Sequence, residues 1–167
     1  NQGSERRQLI AFEGAYHGDT FGAMALGGRS VFSERFEPLL FPVERVPWPH
    51  THWWDEGVEA REAAALDLLE RLLERPTAAV ILEPLLQGAS GMRIVREAFL
   101  RELAQRVRQA GALLIADEVL TGFGRTGALF ACERAGIRPD LIALSKGLTG
   151  GFLPMGVTMA SEALFRG

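Results

Sequence analysis

The fold of this chain is decided by two apolar segments, ALLIADEV at residues 112–119 and DLIALSKG at residues 140–147. Each segment has the near-continuous hydrophobicity of a strand that is buried on both faces of a sheet. Asp117 stands near the downstream end of the first segment, and Lys146 near that of the second. The carboxyl ends of parallel strands line the crevice in which open α/β sheets bind their ligands. We therefore expect this acid and this lysine to share one site.

The other elements follow from periodicity. Apolar runs predict five strands, at residues 8–12, 78–83, 113–119, 141–145 and 155–160. Helical spacing of apolar residues predicts helices over residues 58–75, ended by Pro76, and over residues 97–110, with Gly111 as the C-cap. The aromatic, proline-rich stretch at residues 27–55 has no clean period and predicts an ordered surface excursion or a binding loop, and not a linker. Strands that alternate with helices predict an α/β fold with a mostly parallel sheet.

Composition limits the classes of protein that the chain can represent. It has 167 residues, is 47% hydrophobic and carries a formal charge of −3, which suits one core of ordinary domain size and argues against a nucleic-acid partner. No apolar run approaches the length of a membrane span, so we expect no membrane partner. The single cysteine, Cys132, favours a reducing compartment. We therefore expect a soluble, cytoplasmic enzyme.

The ends of the chain and its histidines support two more expectations. The first predicted strand begins at residue 8, and residues 161–167 resemble a helix that is just beginning. We therefore expect the sequence to be an internal segment of a longer chain. His50 and His52 lack a second pair of ligands with metal-site spacing, so we predict no metal.

A carboxylate and a lysine at one site are the groups that pyridoxal phosphate (PLP) requires. The amine forms a Schiff base with the cofactor, and the carboxylate keeps the pyridinium nitrogen protonated. The plain alternative is that Lys146 ends a strand in solvent. However, residues 147–151, GLTGG, provide glycines that permit a tight turn close to a ligand. A lysine held partly buried in such a turn would offer a nucleophilic amine, and we expect Lys146 to be partly buried.

A competing pattern lies between the two segments. Residues 122–127, GFGRTG, match the G-x-G-x-x-G pattern of dinucleotide-binding folds. In those folds the next strand ends in an acid that binds the ribose, whereas here Asp140 begins the next strand and Lys146 follows it. A nicotinamide-dependent dehydrogenase is thus an alternative from a different class, and a non-catalytic interaction module is a second one.

Four motifs, in the same order along the chain, resemble those of the class III aminotransferases, which are PLP-dependent enzymes of fold type I. They are YHG at residues 16–18, EP at 83–84, DEVLTGFGRTG at 117–127 and SKG at 145–147. The resemblance implies that residues 1–167 form the central part of the PLP-binding large domain, without its N-terminal segment and the C-terminal small domain. It also implies a homodimer that acts on a small-molecule amino donor and a keto acid.

The resemblance also implies roles for individual residues. Lys146 would bond to PLP and move the proton between the substrate carbon and the cofactor carbon. Asp117 would pair with the pyridinium nitrogen, and Val119 would pack on one face of the ring. Tyr16, with His17 nearby, would cover the other face, and Tyr16 would also touch the substrate.

Two further roles and a narrower resemblance concern the substrate. Arg125 would lie near the substrate entrance, and Glu83 would belong to the hydrogen-bonding shell around Asp117. YHGDTFGAM at residues 16–24 and QGASGMR at residues 87–93 resemble a branch of the family that acts in biotin synthesis. That branch transfers an amino group from S-adenosylmethionine to 8-amino-7-oxononanoate and yields 7,8-diaminononanoate. The alternatives within the fold are aminotransferases for 4-aminobutyrate or for ω-amino acids and pyruvate, and a PLP-dependent decarboxylase or aminomutase.

Overall fold

The structure is a computed structural model that describes residues 5–29, 31 and 33–166. Its strands are β1 (Gln8–Phe12), β2 (Glu44–Val46), β3 (Thr77–Leu82), β4 (Leu86–Gln87), β5 (Arg93–Ile94), β6 (Leu113–Asp117), β7 (Leu141–Leu144) and β8 (Val157–Ala160). Its α-helices are α1 (Phe21–Leu26), α2 (Val58–Leu73), α3 (Glu97–Gln109), α4 (Ala131–Ala135) and α5 (Glu162–Arg166). Short 3₁₀ helices span Glu34–Leu39 and Lys146–Leu148.

Six strands form the central sheet, in the order β2-β1-β3-β6-β7-β8. All neighbouring strands are parallel except β7 and β8, which are antiparallel. In the register of the sheet, Leu82 lies opposite Ala116, and Asp117 lies opposite Ala143. The residues that follow β1, β3, β6 and β7 therefore lie together at the carboxyl ends of these strands. This is where a parallel sheet places its ligand site.

Helices α2, α3 and α4 pack beside one another along the sheet. The buried stripe of α3 consists of Phe99, Leu100, Leu103 and Val107, the spacing that places side chains on one face of a helix. The ring of Phe99 packs edge-to-face against Phe12 of β1, with ring centres 6.4 Å apart. This packing holds β1 against helix α3.

The structure confirms the predicted fold class and both predicted helices, with ends one or two residues earlier than expected. Strand β2 was not predicted, because three residues inside a proline-rich stretch show no alternation. It is held in place by Arg45, whose guanidinium donates hydrogen bonds to the carbonyl oxygens of Ala25 (2.7 Å) and Leu26 (3.1 Å) at the end of α1. Helices α1 and α4 are also too short to show a period.

Strand β8 departs from the expectation that every strand is buried on both faces. All four of its residues are exposed, including Val157 and Met159. Within the described part of the chain, β8 stands at the edge of the sheet and pairs only with β7. An apolar run shows that a strand is suited to burial, but its place at an edge decides whether this chain covers it. No helix of the described residues is long and apolar enough to cross a membrane.

Candidate active site

Asp117 is the centre of the site. It is the last residue of β6 and is 6% exposed. Its Oδ2 lies 2.7 Å from Nδ1 of His17, and its Oδ1 accepts a hydrogen bond of 3.0 Å from the backbone N–H of Val119. Each carboxylate oxygen has two lone pairs, so the side chain keeps acceptor capacity for one more donor.

His17 lies behind the carboxylate. Its side chain is 2% exposed, so it has no face to offer to a ring in the crevice. The expected place of His17 near the cofactor stays a prediction, and its contact with Asp117 was not predicted. The sequence does not reveal the contact, because 100 residues separate His17 from Asp117 and only the order of β1, β3 and β6 brings them together.

Tyr16 is 41% exposed, and its ring is free to contact a ligand. Its hydroxyl donates a hydrogen bond of 2.8 Å to Oδ2 of Asp19. This bond, together with partial burial and the charge of Asp19, raises the pKa of the Tyr16 phenol. Because the pKa rises from an already high ordinary value, the phenol keeps its proton and acts as a hydrogen-bond donor.

Glu83 is buried immediately after β3 and holds two backbone segments. Its Oε1 accepts from the backbone N–H of Tyr16 at 3.1 Å, and its Oε2 accepts from that of Gly88 at 3.0 Å. Burial raises the pKa of the carboxyl, although both backbone donors oppose the shift. Within the described part of the chain, Glu83 makes no hydrogen bond to Asp117. Its carboxylate instead supports the backbone of Tyr16 and Gly88, and its place in the hydrogen-bonding shell around Asp117 stays a prediction.

Lys146 is the only lysine among the 18 Lys and Arg residues of the sequence. It follows β7 and begins a 3₁₀ turn with a φ angle of 38°, in the left-handed region that non-glycine residues rarely adopt. Such backbone strain costs about 1–3 kcal/mol and is concentrated at functional sites. The expectation that Lys146 is partly buried is wrong for this chain, because its side chain is exposed. Sequence periodicity cannot show how far a turn projects from the sheet.

The turn after Lys146 is shaped by a contact with the preceding loop. A Cβ atom added at Gly147 would lie 2.8 Å from both Cβ and Cδ2 of Phe123. Only glycine therefore permits Phe123 to lie directly against this turn. The loop after β6 and the lysine turn after β7 thus form one packed unit.

Glu118 anchors that loop. Adjacent acids in a strand point to opposite faces, and Asp117 faces His17 while Glu118 is fully buried on the other side. The Glu118 carboxylate accepts hydrogen bonds from the Thr121 hydroxyl (2.6 Å) and from the backbone N–H groups of Ala131 (3.0 Å) and Cys132 (2.7 Å). The two backbone donors open α4, where a helix has no internal acceptor for them. This structural role was not predicted from the sequence.

Residues 122–127 do not open a helix. They form turns, and α4 begins only at Ala131, so the structure contradicts the dinucleotide-binding interpretation of GFGRTG. Arg125 is exposed, and its Nε donates to the carbonyl oxygen of Leu120 at 2.8 Å. It lines a cavity of about 560 Å³ together with Thr51 and Arg96, and neither Asp117 nor Lys146 lines that cavity. The described structure therefore does not bring Arg125 together with the acid and the lysine.

The site thus combines a buried carboxylate, an exposed lysine and an exposed aromatic ring at the carboxyl ends of parallel strands. Residues 1–166 match the class-III aminotransferase family, and the chain belongs to this family. This match confirms the family that the four motifs predicted.

Individual relatives are similar over nearly all of this chain. The adenosylmethionine-8-amino-7-oxononanoate aminotransferase of Synechococcus elongatus is 62% identical over 166 residues, which cover 99% of this chain and 39% of that protein. The crystal structure of the enzyme with the same name from Methanocaldococcus jannaschii is 33% identical with a TM-score of 0.84, covering 99% of this chain and 37% of that one. The crystal structure of an amine transaminase from an uncultivated Pseudomonas species, in a PLP-bound form, is 30% identical with a TM-score of 0.87, covering 96% and 38%. This chain therefore spans about two fifths of the length of these relatives.

Proposed function

We propose that this chain forms the lysine-bearing, cofactor-binding part of a PLP-dependent aminotransferase that acts in biotin synthesis. In this proposal the enzyme transfers an amino group from S-adenosylmethionine to 8-amino-7-oxononanoate and yields 7,8-diaminononanoate. The observation that carries the chemistry is the pairing of β6 with β7. Strand β6 ends in Asp117, and Lys146 follows β7, so the two required groups lie on neighbouring strands. The name of the relative that is 62% identical supports the choice of substrates.

The residues of the site fit PLP. Asp117 is buried, hydrogen-bonded on both oxygens and still able to accept one more donor, as a partner of a pyridinium N–H must be. The amine of Lys146 is exposed, and the described residues offer it no hydrogen-bond partner. PLP, when bound, supplies an electron sink that makes a proton on the substrate's amine-bearing carbon acidic.

Each site residue then has a distinct task. Lys146 would hold the cofactor through Nζ and would move a proton between the substrate carbon and the cofactor. Asp117 would hold the proton of the ring nitrogen. Tyr16 and Val119 would pack against the ring, and Arg125, which lines a separate cavity, would help to select the substrate where the substrate extends beyond Asp117 and Lys146.

Larger-scale features belong to the same proposal. The chain is the central part of the large domain, and the remaining three fifths of a protein like its relatives supply the rest of the site. The substrates are two small molecules, a donor and a keto acid. The homodimer that the family resemblance implies and the cytoplasmic location that the composition favours stay predictions.

The decisive experiment uses the full-length protein loaded with PLP. The visible absorption of the bound cofactor is followed while S-adenosylmethionine and then 8-amino-7-oxononanoate are added. We expect the band to disappear with the donor and to return with the acceptor. A band that ignores S-adenosylmethionine but responds to 4-aminobutyrate would leave the PLP chemistry standing and refute the substrates. A protein that takes up no PLP would refute the proposal altogether.

Two substitutions test the assigned residues directly. Lys146→Ala should abolish turnover, and borohydride reduction of the wild-type holoenzyme should leave a pyridoxyl group on the peptide that contains Lys146. Asp117→Asn should keep the fold and lose most of the activity, because a neutral amide does not stabilise the protonated ring nitrogen. Asp67→Asn, on the exposed face of α2, is the matched control and should leave the activity unchanged.

A further inference from the structure

The loop that carries Arg125 needs support from outside its own backbone. Residues 122–127 include three glycines, and a glycine-rich segment loses much conformational entropy when it adopts a single shape. Within the loop, the backbone N–H groups of Phe123 and Gly124 donate to the carbonyl oxygen of Leu129 at 2.7 Å and 3.2 Å. These two bonds close the loop on itself, and they do not attach it to the helices beside it.

Arg134 of α4 makes that attachment. Its guanidinium donates one hydrogen bond to the carbonyl oxygen of Thr126 and another, from Nε, to Oε1 of Glu97 in α3 at 2.9 Å. A Cβ atom added at Gly127 would lie 3.3 Å from Nη1 of Arg134, so the guanidinium lies directly against the loop. The hydrogen bond from Arg134 lowers the pKa of Glu97, which keeps that acid ionised for the contact. One side chain thus joins α3, α4 and the loop.

Arg125 is the residue next to this attachment point. Its Nε donates to the carbonyl oxygen of Leu120 at 2.8 Å, and its terminal nitrogens have no hydrogen-bond partner among the described residues. Arg125, Thr126 and Arg134 line the same cavity of about 560 Å³. A guanidinium with unpaired terminal N–H groups matches the geometry of a carboxylate, and both proposed substrates carry a carboxylate. Because Arg125 and Thr126 share a peptide unit, a movement of Thr126 would move the group that meets the substrate.

We propose that Arg134 is a positioning residue for substrate selection and that it acts through Arg125. It holds the loop so that the terminal N–H groups of Arg125 stay directed toward a substrate carboxylate. This inference rests on the proposed function, in which Arg125 helps to select the substrate. It predicts a defect in substrate binding and none in PLP binding, because the hydrogen bonds of Arg134 go to Glu97 and Thr126 and not to Asp117 or Lys146.

Arg101 provides a matched control. It pairs with the other carboxylate oxygen of Glu97 at 3.6 Å and donates to the carbonyl oxygen of Ala135 at 3.2 Å, and it makes no hydrogen bond to residues 122–127. Its side chain is as exposed as that of Arg134. Arg134→Ala should raise the KM of the substrate that Arg125 selects by roughly 3- to 10-fold, the scale of one partly exposed charged contact, with kcat nearly unchanged. Arg101→Ala should leave both constants unchanged.

The measurement is a double-mutant cycle on the full-length, PLP-loaded enzyme, with steady-state kinetics for S-adenosylmethionine and 8-amino-7-oxononanoate. When Arg134→Ala is added to Arg125→Ala, we expect a further change in that KM of less than about twofold, because the positioned group is gone. Equal factors in both backgrounds would overturn the inference, since Arg134 would then not act through Arg125. Normal KM values for both substrates in Arg125→Ala would overturn it as well. A wild type that binds no PLP, or that ignores both substrates, would instead refute the proposed function.

A second measurement does not depend on the substrates. The backbone N–H of Gly127 donates to the carbonyl oxygen of Gly124 at 3.1 Å, so its hydrogen exchange reports on the shape of the loop. In the full-length apoprotein we expect Arg134→Ala to speed this exchange by about threefold or more, with Arg101→Ala similar to the wild type. Unchanged exchange at Gly127 in Arg134→Ala would show that Arg134 does not hold the loop and would overturn the inference.

Discussion

Replacement of Glu118 by alanine is expected to destabilise the protein by about 4 kcal/mol. The carboxylate is fully buried and accepts hydrogen bonds from the backbone N–H groups of Ala131 and Cys132 at 3.0 Å and 2.7 Å. Alanine would leave both donors unpaired in the interior, and each such loss costs about 1–3 kcal/mol. The Thr121 hydroxyl, which can rotate toward another acceptor, is left out of this sum. Two donors therefore give roughly 2–6 kcal/mol, with a midpoint of about 4 kcal/mol.

The assay is urea unfolding of the full-length protein, combined with amide hydrogen exchange at Ala131 and Cys132. Glu118→Gln keeps one acceptor oxygen and should lose about half as much stability. Glu133→Ala is the control on the same helix, because this side chain is exposed and, among the described residues, its one hydrogen bond is a long one of 3.4 Å from the backbone N–H of Phe130. It should cost less than about 1 kcal/mol. A loss below about 1 kcal/mol for Glu118→Ala, with unchanged exchange at both amides, would refute the anchoring role.

Three other perturbations address the lysine turn, Glu83 and Cys132. Gly147→Ala should weaken PLP binding, because the new Cβ would lie 2.8 Å from two atoms of Phe123. The second substitution Phe123→Gly should restore part of the affinity. No recovery of affinity in the double variant would contradict the proposed packing of Phe123 against Gly147. Burial raises the pKa of Glu83 above its ordinary value of 4.5, so the folded state binds the proton more tightly than the unfolded state. The stability of the wild type should therefore fall relative to that of Glu83→Gln as the pH rises from about 4.5 through the raised pKa, and parallel unfolding curves over that window would exclude the effect. Burial and the charge of Glu118 raise the pKa of the Cys132 thiol, so iodoacetamide at pH 8 should modify the Cys132 peptide only after unfolding in urea, and rapid modification of the native protein would show that the thiol is accessible.

Much of the architecture was predictable because its determinants are local. The apolar runs that end at Asp117 and before Lys146 have the composition of parallel strands, and the spacing of buried residues in α2 and α3 is helical. These patterns depend on near neighbours in the chain, so they can be recognised without any knowledge of the tertiary structure. Strand β2 and helices α1 and α4 were missed because three to six residues are too few to show a period.

The exposure of individual residues was less predictable. Lys146 lies on an exposed turn, and β8 is uncovered along its whole length, although both follow or lie in apolar runs. Burial depends on which layer or strand covers a residue, and that partner lies far away in the sequence. The hydrogen-bond partner of Glu83 was also not predictable from the sequence, because that partner lies far away in the chain. The Glu83 carboxylate accepts from the backbone N–H of Tyr16 and makes no contact with the side chain of Asp117 among the described residues.

The sequence by itself therefore determined the class of fold, the family and the two groups on which the proposed chemistry depends. Strand-forming runs and motif spacing are properties of the residue order alone. Only the tertiary structure decided how these groups are supported. His17 meets Asp117 across 100 residues, and Glu118 meets the start of α4. Such contacts depend on the order and register of β1, β3, β6 and β7. That order results from packing the whole sheet against its helices, and no local pattern encodes it.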